Sequence, residues 1–244
     1  MNTLSQNNSV FQRIEKKYRL SGEKYWTLIQ ALKPYIQMDE YGRHTICNIY
    51  YDTEHFDLIR HSIEKPPYKE KLRLRSYGVP GPQDTVYIEI KKKWRRTVYK
   101  RRTAMTLTQA QAYLNHGIRP EMDSQILREI DYFLNFYRPV PRLFLAYDRI
   151  ACYGIQDDDI RITFDANIRS RENDLKLASG DAGTALLESQ EVLMEIKIPN
   201  AMPLWLTRIL SELQIYPTSF SKYGNIYKHS LVQERRTRLC SQQS

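Results

Sequence analysis

The sequence predicts an α+β fold in which eight antiparallel strands close into a β-barrel, with helices packed on the outside of the barrel. Eight segments have strand character, and most are connected by turn residues, which indicates hairpins rather than βαβ repeats. At least five of these segments alternate an apolar face with a charged face. An eight-stranded barrel has an interior just wide enough for side chains and a small ligand, so it could hold the charged faces inside.

The N-terminal half of the chain contains five of the predicted strands. The first strand spans 11–20, and Ser21 is expected to cap a helix over 22–33 that ends near Pro34. Glycines and prolines shortly after the third strand mark a hairpin. The other four strands of this half are expected at 44–52, 69–77, 85–93 and 96–104.

The C-terminal half begins with two predicted helices. Thr106 or Thr108 is expected to cap the first, and Asp123 to cap the second, which carries an apolar stripe. Pro203 is expected at the first position of a later helix, and 221–231 is expected to form a final helix. An exposed loop is expected between the last two strands. The three strands of this half are predicted at 142–154, 159–168 and 191–199.

The composition is that of a globular chain. Of 244 residues, 41% are hydrophobic and 27% charged, and one domain is predicted over 10–231. A disordered N-terminus (1–9) and a flexible basic tail (232–244) are expected to flank that domain. No apolar run approaches the ~20 residues of a membrane span. The three cysteines are odd in number and far apart, so a cytoplasmic location is expected.

The charge balance indicates an anionic partner. Lys and Arg number 37 against 28 Asp and Glu, which gives a net charge of +9. Nucleic acid, nucleotides and phosphate polymers all fit such a surplus.

The stretch KEKLRLRSYG (69–78) places Lys69, Lys71, Arg73 and Arg75 on alternate positions, with leucines between them. In a strand, these four cations form a row on one face. Similar alternation recurs in the segments RIEKKY, VYIEIK, VYKRR, IRITFDANIRSR and VLMEIK, where glutamate or aspartate accompanies the cations in most cases.

Two interpretations of these charged faces are open. Half-buried strands commonly show their polar side to water, so each strand taken alone is ordinary. Alternatively, the charged faces point into a common hollow. Inward cations repel one another and are costly to desolvate, so they require a polyanion such as a phosphate chain. Glutamates beside phosphates in turn require a divalent metal, and Mg²⁺ and Mn²⁺ prefer oxygen ligands.

Over about residues 11–228 the chain contains, in this order, the segments RIEKKYRL, IYYDT, KLRLRSYG, VYIEIKKK, VYKRR, YDRIACY, IRITFDANI, LMEIK and FSKY. Together these segments resemble the VTC domain, the catalytic domain of polyphosphate polymerases in the triphosphate tunnel (CYTH-like) superfamily. The resemblance implies an antiparallel β-barrel tunnel. It also implies synthesis of polyphosphate from the γ-phosphate of ATP, with release of ADP, in the presence of Mn²⁺ or Mg²⁺.

The resemblance further implies roles for individual residues. Catalytic roles are expected for Arg73, Arg75, Lys91 and Lys222. The cations expected to bind phosphate are Lys17, Arg73, Arg75, Lys91, Lys100, Arg102, Arg149, Arg161, Lys197 and Lys222. The expected metal ligands are Glu195, Glu89 and Glu15, with Glu195 as the main one. ATP and polyphosphate are the expected ligands, and neither nucleic-acid binding nor a membrane span is expected.

One position departs from the superfamily pattern. Its triphosphatases usually begin with Glu-x-Glu-x-Lys, whereas this chain has Arg13, Glu15 and Lys17 at the corresponding positions. The replacement removes a potential metal ligand and favours the polymerase over a two-metal triphosphatase. Two alternatives stay open: a tunnel-type triphosphatase that hydrolyses inorganic or nucleoside triphosphate, and a non-catalytic module that binds polyphosphate or another polyanion.

Overall fold

The fold is that of a computed structural model, which describes residues 14–95, 97–188 and 190–230. The predicted disordered N-terminus (1–9), the predicted basic tail (232–244) and Arg13 lie outside the described residues. Among the described helices, none combines the length and the apolar character that a bilayer span requires.

Within the described residues, nine strands form one antiparallel sheet. In chain order they are β1 (Ile14–Leu20), β2 (Ile36–Asp52), β3 (Tyr68–Tyr77), β4 (Thr85–Trp94), β5 (Thr97–Thr106), β6 (Val140–Gly154), β7 (Arg161–Arg171), β8 (Thr184–Ala185) and β9 (Val192–Ile198). The order across the sheet is β1-β9-β7-β6-β2-β3-β4-β5, and β8 pairs with β7 beside this path. The strand β8 and a short 3₁₀ turn (Leu177–Ser179) lie in the segment expected to be an exposed loop.

The prediction of a closed eight-stranded barrel is wrong. Among the described residues, the edge strands β1 and β5 are not hydrogen-bonded to each other, so the sheet is open. Lys17 of β1 has two bridge partners, Glu195 of β9 on one side and Thr218 on the other. The Thr218 amide donates to the Lys17 carbonyl over 2.7 Å. This segment therefore occupies part of the strand edge that closure with β5 would need.

The open sheet is strongly curled. Glu15 on β1 and Lys91 on β4 are six strands apart in the sheet order, which would be roughly 29 Å in a flat sheet. Burial lowers the pKa of Lys91, and the nearby carboxylate of Glu15 partly opposes that effect. Such an interaction requires the two ends of the sheet to approach each other. We call the side on which these charged residues meet the concave face, and the opposite side the convex face.

The helices pack mainly on the convex face. They are α1 (Gly22–Leu32), α2 (Asp57–Ile63), α3 (Leu107–His116), α4 (Gln125–Tyr137) and α5 (Leu204–Glu212). Helices α3 and α4 bury an apolar cluster against β2, β3 and β4, in which Phe133, Ile88 and Leu72 are fully buried. Helices α1 and α5 bury a second cluster against β1, β7 and β9. Helix α2 was not predicted from the sequence.

A third apolar cluster lies on the concave face. The chain is helical again over 222–230, and Tyr223 and Ile226 of this segment pack with Tyr50, Tyr147 and residues of β6. The Tyr223 hydroxyl donates to the Asp52 carboxylate over 2.9 Å, and the rings of Tyr223 and Tyr50 are 5.0 Å apart. The C-terminal helical segment therefore covers part of the concave face beside the charged residues.

Two of the expected helix caps are present and one is replaced. Ser21 Oγ accepts a hydrogen bond from the Lys24 amide, and Thr106 forms a reciprocal capping box with Gln109. Helix α4 is capped by Ser124, whose Oγ accepts from the Leu127 amide over 3.2 Å, and not by Asp123. Pro203 precedes α5 rather than beginning it, and strands β2 and β6 extend beyond the predicted bounds.

The α4 cap gives a stability prediction. Ser124→Ala is expected to lower the free energy of unfolding by about 1 kcal/mol, because the Leu127 amide loses its partner. Asp123→Ala is the matched control. It removes only exposed ion pairs with Arg119 and Arg128, so the expected loss is a few tenths of a kcal/mol, or about 0.3. Urea denaturation measures both, and an equal or larger loss for Asp123→Ala would show that the cap is misassigned.

Candidate functional site

Glu89 on β4 is the centre of a cluster of three cations on the concave face. Its register partner Arg73 donates from Nε to Oε2 over 2.7 Å. Lys100 Nζ lies 3.1 Å and Arg75 Nη1 3.7 Å from Oε1. Burial alone would raise the pKa of Glu89, but the charges of Arg73, Arg75 and Lys100 outweigh it and lower the pKa to about 2. Glu89 is therefore ionised, and it holds all three cations together.

At pH 7, uncharged groups fix the two arginines without cancelling their charge. Burial would raise the pKa of the Tyr50 hydroxyl among them, but the charges of Arg73 and other nearby cations lower it to about 8. Arg73 Nη1 donates to the Tyr50 hydroxyl over 3.1 Å. Arg75 donates from Nε to Asn48 Oδ1 over 2.9 Å and from Nη2 to the Tyr147 hydroxyl over 3.2 Å. Both guanidinium groups are thus held in one orientation, while three positive charges share the single carboxylate of Glu89.

A second buried carboxylate, Asp165 on β7, joins the sheet to the C-terminal helical segment. Arg149 of β6 binds Asp165 in a bidentate pair, with N–O distances of 2.6 and 2.8 Å. Lys222 donates to Asp165 Oδ2 over 2.5 Å, and its ammonium lies 4.5 Å from the centre of the Tyr147 ring. Burial would raise the pKa of Asp165, but the charges of Lys222 and Arg149 hold it well below its usual range.

Glu195 on β9 forms the third charged cluster, together with residues of β1. Lys197 Nζ lies 2.8 Å from one Glu195 oxygen, and Lys17 Nζ lies 3.7 Å from the other. The same Lys17 ammonium is 3.2 Å from Glu15 and donates to the Phe220 carbonyl over 3.3 Å. Burial alone would raise the pKa of Glu195, but the charges of Lys197 and Lys17 outweigh it and lower the pKa to about 2.

Several lysines on the concave face lack a salt bridge in the part of the chain that the structure describes, and two of them lie beside the Glu89 cluster. Lys71 and Lys91 are register partners on β3 and β4. Burial lowers the pKa of Lys71 to about 8, and the charges of Lys69, Lys91 and Lys17 contribute in the same direction. Burial also lowers the pKa of Lys91. These lysines repel their neighbours, so an anion placed between them would be stabilised.

The two remaining predicted cations, Arg102 and Arg161, lie on the concave face and are exposed. Arg102 is the register partner of Glu89, and its guanidinium lies 4.8 Å from the centre of the Tyr87 ring. Arg161 is the register partner of Lys197 and lies over Tyr153 at 5.5 Å. Contacts with aromatic rings leave the charges of both arginines available to a ligand.

Five residues that shape these clusters were not assigned a role from the sequence. Asp165 and Lys71 occupy the charged positions of the alternating segments, so the signal was present and could have been used. Asn48, Tyr50 and Tyr147 hold the arginines, but their segments show no alternation of charge, and only the strand register places them there.

The predicted metal ligands lie in two places. Glu15 and Glu195 share the Lys17 ammonium, whereas Glu89 is held by its own three cations. Within the described residues, no group of three or more His, Cys, Asp or Glu side chains could hold a metal ion. Mg²⁺ commonly takes one or two carboxylates and completes its shell with substrate phosphates and water. Glu15 and Glu195 therefore fit a metal that binds together with phosphate.

Comparison with known structures supports the fold. A candidate adenylate cyclase from Bacillus halodurans matches at 15% identity over 86% of this chain and 93% of its own, with a TM-score of 0.54. A candidate adenylate cyclase from Vibrio parahaemolyticus matches at 13% identity over 90% and 99%, with a TM-score of 0.50. At such identities the likeness concerns the fold alone.

A comparison of the sequence with models of protein families identifies the family to which it belongs. No curated protein matches the chain. The family model of the VTC domain matches residues 12–231, which is most of the sequence and includes all three charged clusters. The resemblance noted in the sequence is thereby confirmed: the chain belongs to the VTC domain family.

Proposed function

We propose that the protein transfers the γ-phosphoryl group of ATP to the end of a growing polyphosphate chain. The observation that carries the proposal is the surplus of cations on the concave face, where Lys71 and Lys91 have no salt bridge among the described residues. Phosphate oxygens accept charge-assisted hydrogen bonds from such groups, and a phosphate chain supplies charge along the whole row. ATP and polyphosphate are the ligands in this proposal.

The arginines are suited to hold a triphosphate in one position. Arg73 and Arg75 present guanidinium forks whose orientation is fixed by Glu89, Tyr50 and Asn48. A group that is already oriented loses little side-chain entropy when a ligand binds. We therefore assign these two arginines, together with Lys91, to the phosphates of ATP.

Phosphoryl transfer depends mainly on positioning and on stabilisation of charge. An oxygen of the acceptor's terminal phosphate forms a bond to the γ-phosphorus, the bond from that phosphorus to the bridging oxygen breaks, and ADP leaves. Arg73, Arg75 and Lys91 stabilise the charge on the transferred group, and Lys222 extends this field from its place beside Asp165. Glu195 and Glu15 would hold Mn²⁺ or Mg²⁺, which when bound neutralises charge on the phosphate oxygens.

Hydrolysis of a triphosphate is the second candidate function. The carboxylates of Glu15 and Glu195 meet at Lys17, and a pair of this kind could also orient a water molecule toward phosphorus. The two functions differ in the acceptor of the phosphoryl group, which is a phosphate chain in synthesis and water in hydrolysis. The product therefore separates them.

A product assay tests the proposal. Incubation with ATP and Mn²⁺ is expected to give a ladder of polyphosphate on a gel, whereas free phosphate alone would indicate hydrolysis.

Glu195→Gln is expected to reduce turnover by about 100-fold, because a metal ligand is lost. In the same variant, metal-free binding of tripolyphosphate should not weaken, since a negative charge has been removed. Glu212→Gln on the exposed side of α5 is the control. Undiminished turnover in Glu195→Gln would contradict the metal role.

The concave face should dominate the binding of triphosphate. Arg73→Ala is expected to weaken tripolyphosphate binding by about 10- to 100-fold, as expected for loss of hydrogen bonds to a charged group. Arg101→Ala is the matched control on β5, because Arg101 points to the convex face and pairs with Glu129 of α4. Titration calorimetry measures both variants. Equal losses would mean that triphosphate does not bind the concave face.

Lysine titration should make the binding dependent on pH. Burial lowers the pKa values of Lys71 and Lys100 to about 8, so both lose positive charge as the pH rises through about 8. An anionic ligand binds more tightly when these lysines are protonated and positively charged. Lys71→Met is therefore expected to weaken tripolyphosphate binding at about pH 7 and to approach wild type at about pH 9.5. The Kd of the variant is divided by the Kd of wild type at each pH. Because both proteins bind the same ligand, this ratio removes the effect of the ligand's own titration. A ratio that does not change with pH would contradict the assignment of Lys71.

A further inference from the structure

A cavity of about 510 Å³ lies where β3 begins and β4 ends. Four cations line it, Lys65, Lys69, Lys93 and Arg95, together with two prolines and Ser219. No carboxylate is among the described residues of its lining. It is separate from the Glu89 cluster, and none of its residues was assigned a role from the sequence.

The cations of this cavity converge on one place. Lys69 and Lys93 are register partners, and Lys65 approaches them from the loop between α2 and β3. Burial lowers the pKa of Lys69, and the charges of Lys93, Lys91 and Lys65 lower it further. Among the described residues, no salt bridge offsets the charge of these three lysines. An anion inside the cavity would relieve their repulsion.

The backbone around the cavity is fixed by local contacts. The Arg95 amide donates to the Pro67 carbonyl over 2.5 Å, which ties the end of β4 to the loop before β3. Lys69 Nζ donates to the Ser62 carbonyl over 2.9 Å, which ties the strand to the end of α2. The cavity is therefore built between β3, β4 and this loop.

A continuous row of cations connects the cavity to the Glu89 cluster. Lys69 precedes Arg73 by four residues on the same strand face, which corresponds to about 13 Å. Lys71 and Lys91, which also lack salt bridges in the described part of the chain, lie between them. A single ligand that contacts both ends of the row must be long and must carry negative charge throughout.

We propose that the cavity is a distal binding site for polyphosphate, occupied by phosphates of a chain whose end lies at Arg73 and Arg75. The inference rests on the proposed function, since it takes the same class of ligand. It adds that the protein distinguishes phosphate chains by length: a long chain contacts the cavity, and tripolyphosphate on the arginines does not. An acidic peptide is the other ligand that four cations could attract, and the experiment distinguishes it from polyphosphate by measuring the binding of both.

Binding measurements on a charge-removal variant test the inference. Lys93→Gln combined with Arg95→Gln removes two of the cavity's charges, one within β4 and one directly after it. Lys33→Gln combined with Arg208→Gln is the control, because it removes two exposed charges next to α1 and on α5, on the convex side. Titration calorimetry with long-chain polyphosphate, tripolyphosphate and polyglutamate gives Kd values without reference to turnover.

The cavity variant is expected to bind long-chain polyphosphate about tenfold more weakly than wild type and tripolyphosphate within about twofold of wild type. The control variant should bind both within about twofold. Unchanged binding of tripolyphosphate also shows that the variant is folded. Equal effects on both phosphates, or a loss confined to polyglutamate, would overturn the inference while the proposed function stands. Failure of the wild-type protein to bind either phosphate would overturn both.

Discussion

Repulsion between like charges on the concave face is the constraint on which the rest of the structure depends. A curled sheet brings cations from distant strands together, and each must be offset by a carboxylate or by a ligand. Glu89, Asp165 and Glu195 each hold two or three cations, and their low pKa values show how strongly the surrounding charge favours the ionised form. Lys71 and Lys91 lie outside these clusters; burial lowers the pKa of each, and neighbouring cations contribute in the same direction.

The convex face makes this arrangement possible. Leu72 and Ile88 alternate with Arg73 and Glu89 on the same two strands, so each strand contributes to an apolar cluster and to a charged cluster at once. Helices α3 and α4 bury one apolar cluster, and α1 and α5 bury the other. Burial of apolar surface on one side of the sheet can therefore offset the cost of crowded charges on the other.

Much of the site could be predicted from the sequence because side chains alternate strictly along a strand. That rule places Arg73, Lys91 and Glu195 on one face without any knowledge of the fold. It does not determine whether the edge strands pair, and here Thr218 takes part of the edge of β1. Closure of a barrel depends on contacts between distant segments, which the period of a strand does not encode.

Other features escaped prediction for similar reasons. Ser124 and Asp123 are both good capping residues, and only the backbone geometry decides which of them caps α4. Tyr147 and Asn48 meet Arg75 through the register of β6, β2 and β3, which the sequence does not specify. Helix α2 is too short for its periodicity to be recognised.

A crystal structure with tripolyphosphate and Mn²⁺ would show directly whether phosphates bind among the concave cations. We expect phosphate density on the concave face, in contact with Arg73 and Arg75 and near Lys71 and Lys91, with metal density beside Glu195. Phosphates bound to the convex face or only to surface lysines, with the concave cations unchanged, would contradict this expectation.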